Sequence, residues 1–179
     1  MPTQIALLRG INVGGHNRIA MSDLKELLAE LGFPGAKSLL QTGNLIFECD
    51  NRTGADLQRN LEVEIEGRLG LLVDCVIRTA DQWRSVVSRN PFPKEAQRDP
   101  GHLLIMFFKL APQAQLLKAL QLNIPGPERI CADGRQLYLV YPDGIRRSKL
   151  TNSLIERKLG LRGTARNWNT VLRLRALLD

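Results

Sequence analysis

Four short polar segments hold the side chains that could do chemistry: Arg9-Gly10-Ile11-Asn12-Val13-Gly14-Gly15, Gln41-Thr42-Gly43-Asn44, Arg146-Arg147-Ser148-Lys149 and Arg166-Asn167-Trp168-Asn169. Guanidinium, ammonium and amide donors of this kind pair with phosphate or carboxylate, and arginine does so with a two-pronged fork. The first segment is a glycine-rich loop, a setting in which backbone N–H groups cradle anions. It contains neither G-x-G-x-x-G nor G-x-x-x-x-G-K-[ST], so dinucleotide and P-loop binding are not expected. Its glycines could equally make a tight strand exit with Asn12 holding the loop. Ser148 and Lys149 are neighbours and would point about 100° apart on a helix, which suits an N-cap and a solvated lysine better than a nucleophilic pair. The closing segment suits recognition of an anion or a base, unless Asn167 or Asn169 caps the last helix and Trp168 packs.

Other chemistries lack raw material. Only His16 and His102 are present, and Cys49, Cys75 and Cys131 are far apart with no C-x-x-C pair, so neither a metal site nor a disulfide framework is expected. Buried, reduced thiols are the expectation. No Ser-His-Asp set or carboxylate pair can be assembled; Glu48 and Asp50 lie near a strand end, and Glu62, Glu64 and Glu66 decorate the solvated face of a helix. No catalytic residue and no cofactor is assigned.

The elements that must position these segments follow from hydrophobic spacing. Thr3 to Leu8 reads as a short buried strand. Ser22 is expected to N-cap a helix with Leu24, Leu27, Leu28 and Leu31 inward, stopped by Gly32. The run LLQTGNLIFEC predicts two strands joined at Thr42-Gly43-Asn44. A second helix starts near Thr53, carries Leu57, Leu61, Ile65 and Leu69 at four-residue spacing, and stops at Gly70; Leu71 to Ile77 is a fourth strand. Thr79-x-x-Gln82 forms a capping box for a connecting helix with Trp83, Val86 and Val87 inward, ended by Asn90-Pro91. The order then repeats. LLIMFF is a strand; Pro112 opens a helix with Leu116, Leu117 and Leu120 inward; Asp133-Gly134 joins two strands; a helix spans Ser148 to Leu159; Gly163 to Arg166 is a strand; and a closing helix begins near Asn169.

Strand-helix-hairpin-helix-strand twice over predicts an α+β chain of two tandem ferredoxin-like (βαββαβ) plaits with a connecting helix and a C-terminal helix. The expected divisions are residues 1–78, 79–100 and 101–179. In such a plait strands one and two run one way and three and four the other. The loop after strand one and the hairpin therefore share an edge, and Arg9, Asn12, Gln41 and Asn44 should converge. In the second half, the segments leaving strands three and four share the opposite edge and feed helix N-termini, which favour anions.

Composition sets the limits. The 179 residues are 44% hydrophobic and 24% charged, an ordinary globular balance with enough chain for a sizeable core. No stretch approaches the ~20 apolar residues of a membrane span, and the opening residues lack a basic region before their apolar run, so a cytoplasmic protein with no membrane partner is expected. The net charge is +7, of which residues 128–179 carry +6. That asymmetry points to an anionic partner.

The strings LLRGINVGG, QTGN, SKLT and TARNWNTV together resemble the bacterial family called domain of unknown function 1697, and the likeness runs through the whole chain. Arg9, Gly10, Asn12, Gly14 and Gly15 match its opening motif. Gln41, Gly43 and Asn44 match its hairpin, where Thr42 stands in for an equally frequent serine. Ser148, Lys149, Leu150, Arg166, Asn167, Trp168 and Asn169 match its closing segments. The family has no established activity, so the resemblance implies no residue role.

The function expected from the residues is binding of an anionic ligand, a phosphorylated small molecule or nucleic acid, by Arg9, Asn12, Gly14, Gly15, Gln41, Asn44, Ser148, Lys149, Arg166 and Asn167. RNA recognition by stacking is disfavoured by the 5% aromatic content. The alternatives are a small-molecule enzyme with its site between the two plaits and a protein-interaction scaffold. Oligomeric state is not fixed by the sequence.

Overall fold

A computed structural model describes residues 1–50, 52 and 54–179. The expected start of the second helix at Thr53 lies outside the described residues. The chain divides into two compact units, Met1–Ser85 with Leu178–Asp179, and Val86–Leu177.

Unit 1 begins β1 (Thr3–Leu8), α1 (Met21–Glu30), β2 (Lys37–Leu39), β3 (Asn44–Glu48), α2 (Gly54–Leu69) and β4 (Cys75–Thr79). The sheet is antiparallel in the order β2-β3-β1-β4, with Leu7 opposite Asn44 and Leu8 opposite Cys75. Leu24, Leu27 and Leu28 of α1 and Leu57, Leu61 and Ile65 of α2 pack with Ala6, Leu8, Leu45, Phe47 and Ile77 into one core. Each such side chain contributes about 1.5–3 kcal/mol when fully buried. β4 is an edge strand, and α2 covers its free donors. The Gln58 carboxamide accepts the Ile77 N–H at 3.0 Å and the Glu62 carboxylate accepts the Cys75 N–H at 2.7 Å.

Two expectations for unit 1 need correction. Helix α1 starts ahead of Ser22: Ala20 is its extended N-cap, and the Ala20 carbonyl already accepts the N–H groups of Asp23 and Leu24. Met21, buried on the core, brings the start forward. The fourth strand starts at Cys75 rather than Leu71, because Leu72 is exposed and the chain pairs only once it reaches the Glu62 carboxylate. Glu62 is thus a strand cap and not a solvated charge. The capping box forms as expected: the Thr79 N–H donates to Gln82 Oε1 and the Gln82 N–H to Thr79 Oγ1, opening α3 (Ala80–Ser88).

Unit 2 continues with α4 (Pro93–Arg98), a 3₁₀ turn (Pro100–His102), β5 (Leu103–Phe108), α5 (Ala114–Leu122), β6 (Arg129–Asp133), β7 (Gln136–Val140), α6 (Asn152–Leu159), β8 (Gly163–Asn167) and α7 (Trp168–Ala176). Its sheet is also antiparallel, in the order β6-β7-β5-β8. The two units repeat down to single bonds. The Leu8 N–H donates to the Gly43 carbonyl at 2.8 Å, and the Phe108 N–H to the Arg135 carbonyl at 2.9 Å. Arg78 lies opposite Ile5, and Arg166 opposite Ile105. Each arginine donates from Nη1 to the carbonyl of the residue before it.

Unit 2 also corrects the sequence reading. Leu116 is exposed; Leu117 and Leu120, three apart, form the inward stripe of α5. Helix α6 starts at Asn152, because the Thr151 hydroxyl accepts the Leu154 N–H and is the N-cap. Ser148 lies four residues ahead of that helix.

Gly43 has φ +83°, and a Cβ there would come 2.7 Å from Ile11 and 2.8 Å from Leu8. Gly70, at φ +68°, has open space around it. Gly43→Ala should cost about 2–5 kcal/mol, left-handed strain plus overpacking, and Gly70→Ala about 1–2 kcal/mol from strain alone. Urea midpoints measure both; equal losses would refute the close approach at Gly43. Cys49, Cys75 and Cys131 are free thiols, and burial pushes those of Cys49 and Cys131 up, with the Asp50 and Asp133 carboxylates adding to it and Arg52 opposing it at Cys49. A thiol reagent at pH 8 should therefore label the folded protein slowly and the urea-unfolded chain quickly. Cys49 and Cys75 are buried and Cys131 only half-buried, which corrects the expectation for that thiol, so fast labelling of more than one thiol in the folded chain would contradict this burial.

Candidate functional site

In unit 1 the chain leaves β1 through Gly10 at φ +66° and reaches Asn12 at φ +52°. The Asn12 amide staples the loop to the hairpin. Its Nδ2 donates to the Ile19 carbonyl at 2.9 Å and the Gln41 carbonyl at 2.6 Å, while Oδ1 accepts the Ile19 N–H at 2.9 Å. The closed loop borders a cleft of about 530 Å³ lined by Asn12, Gly15, Arg18, Ile19, Ala20, Asp23, Gln41, Leu69 and Leu71. One wall is the start of α1, where Ala20 supplies no side-chain cap to the first-turn N–H groups. The Arg18 guanidinium, the Gln41 carboxamide and that helix end present donors and positive potential; Asp23 presents one carboxylate.

In unit 2 the loop leaving β7 lines two adjoining clefts of about 400 and 320 Å³ that share Asp143, Gly144 and Arg147. The larger adds Pro125 to Glu128 with Ser148 and Lys149; the smaller adds His102, Ile145 and Arg146. Ser148 is fully engaged, its hydroxyl donating to Glu128 Oε1 and accepting the Leu150 N–H at 3.0 Å. The Tyr141 hydroxyl donates to the Leu150 carbonyl at 3.0 Å, and burial first, then the Glu128 carboxylate, push that phenol up to about 12. Among the described residues, two buried side-chain polar atoms have no hydrogen-bond partner, Glu128 Oε2 and His102 Nδ1. The latter lies 2.6 Å from Asp99 Oδ2, an ion pair when the imidazole is protonated, but outside hydrogen-bonding alignment.

The sequence-predicted residues divide by role. Asn12, Gly15 and Gln41 line the unit 1 cleft, and Ser148 and Lys149 the unit 2 cleft. Gly14 is exposed on the same loop, beside the His16 ring. Arg9 is half-buried at the end of β1, its N–H donating to the Asp74 carbonyl, and does not line the cleft. Asn44 is fully buried and donates to the Leu39 carbonyl at 2.8 Å and Thr42 Oγ1 at 3.2 Å, which fixes the hairpin. Arg166 is buried on β8, where it donates to Thr164 Oγ1 at 2.7 Å and the Ala165 carbonyl at 2.9 Å; burial lowers its guanidinium to about 10. Asn167 N-caps α7 by accepting the Thr170 N–H at 2.9 Å, and Trp168 is buried. Sequence reasoning missed Arg18, Asp23 and Glu128. Arg18 follows a glycine pair and precedes a helix, and Glu128 follows Pro-Gly-Pro, signals a loop-centred search could have used.

A family model described as "Protein of unknown function (DUF1697)" matches residues 1–138. The chain belongs to this family. The match takes in the opening loop, the hairpin and Glu128, while the SKLT and TARNWNTV strings of this DUF1697 protein lie beyond it. No curated protein matches the chain. The solved structure of the conserved bacterial protein SP0830 from Streptococcus pneumoniae is similar in fold, with a TM-score of 0.77 over 99% of each chain at 19% sequence identity.

Asn12→Ala removes three hydrogen bonds and should cost unit 1 about 2–3 kcal/mol, while Gln41→Ala, whose backbone carbonyl is the acceptor, should stay within about 0.5 kcal/mol. Denaturant unfolding of both variants checks this. A neutral Asn12→Ala would mean that the staple is not what holds the loop.

Proposed function

We propose that this DUF1697 protein binds a small phosphorylated molecule in the unit 1 cleft. The observation that carries the reading is the meeting of the uncapped start of α1 with Arg18, Gly15 and Gln41 around one cleft. Helix N–H groups and a guanidinium favour a phosphate, and Asp23, in the first turn of α1, favours a hydroxyl donor on the same ligand. A volume of about 530 Å³ suits a sugar-phosphate-sized molecule. We read the two units as tandem ferredoxin-like plaits, supported by their matching strand orders, and the protein as cytoplasmic, supported by its free thiols. No described helix is long and apolar enough to cross a membrane.

Calorimetric titration with inorganic phosphate, pyrophosphate and ribose 5-phosphate tests the reading. Ribose 5-phosphate should bind tightest, and Arg18→Ala should weaken it about 10-fold or more. If none of the three binds, or if Arg18→Ala binds as well as the parent, the proposal fails. The second reading is nucleic acid, favoured by the +6 charge of residues 128–179. It requires filter binding of oligonucleotides that weakens steeply with salt, and no affinity at low salt removes it.

A further inference from the structure

We propose that unit 2 carries a second ligand site, independent of the phosphate reading, which takes a small zwitterion with its ammonium end on the Glu128 carboxylate. Glu128 is 9% exposed and lines the cleft of about 400 Å³. Ser148 fixes Oε1 by donating to it, and nothing among the described residues donates to Oε2. A buried carboxylate oxygen without a donor costs several times what an ordinary hydrogen bond returns.

The local sequence makes room for that costly arrangement. A Cβ at Gly126 would stand 2.5 Å from Glu128 Oε2, so glycine is what lets the carboxylate occupy its place. The segment is braced by Pro125 and Pro127, whose rings fix φ. The missing partner is a donor, and a carboxylate holds a positively charged donor most strongly. Among the described residues no group of three or more His, Cys, Asp or Glu is placed to hold a metal ion, and an ammonium group brings both the donors and the charge that Oε2 favours. Asp143 adds a second carboxylate, while Arg147 and Lys149 on the same cleft suit an anionic end. Donor-seeking and acceptor-seeking groups together describe a ligand with both charges. The adjoining cleft, lined in part by His102, shares Asp143, Gly144 and Arg147 with this one.

The test titrates the full chain at low salt with glycine, 4-aminobutanoate and 6-aminohexanoate, and separately with methylammonium and acetate. At least one zwitterion should bind saturably and about 10-fold more tightly than methylammonium or acetate alone. Glu128→Gln should weaken it about 30-fold, Arg147→Ala about 5-fold, and Arg18→Ala in unit 1 not at all. If Glu128→Gln does not fold by circular dichroism, Gly126→Ala replaces it: the new methyl displaces Oε2, and binding should fall about 10-fold. The proposal is overturned if no zwitterion saturates the protein, or if the Glu128 or Gly126 variant binds like the parent.

Discussion

β1 and β5 are buried on both faces: Ile5, Ala6 and Leu7 are wholly inaccessible, and so are Ile105, Met106 and Phe107, neighbours that point to alternate faces. A strand enclosed on both sides has no exposed face on which to display a reactive side chain, which is why Ile5 to Leu8 and Leu103 to Phe108 read as unbroken apolar runs. Polar groups are driven to strand ends and connecting loops. Both candidate sites obey that constraint, one where β1 gives way to the glycine-rich loop and the other where β7 gives way to Pro142–Leu150.

The sequence conveyed element types and order well, because helices and strands here are amphipathic or apolar with regular spacing and glycines stand at several of their ends. Topology then brought the loop after β1 to the hairpin, and the Asn12–Gln41 hydrogen bond is that convergence in atomic form. Boundaries were harder. The starts of α1, β4 and α6 are each set by a bond to a particular group, the Ala20 carbonyl, the Glu62 carboxylate and the Thr151 hydroxyl. Periodicity does not carry information of that kind.

The same distinction governs the polar residues. Asn12, Asn44 and Asn167 all looked like ligand-facing amides, and each spends its side chain on the backbone. Asparagine mimics a peptide group, so in loops and caps it competes for architectural duty. Arg166 was read as a clamp on an anion, but it sits on the strand itself, at the position Arg78 holds in unit 1. What spacing could not reveal was which charged groups stay incompletely satisfied after folding. Glu128 is the clearest instance, since its role depends on a serine 20 residues later and on the absent side chain of Gly126.

The covering of β4 by Gln58 and Glu62 reaches beyond the strand it protects. With those amides occupied, another polypeptide finds little ladder to extend along that margin, and the opposite margin, β2, offers only three residues. Unit 1 is accordingly guarded against runaway polymerisation through its sheet, and self-association, where it occurs, has to use side-chain surfaces instead of backbone ribbons.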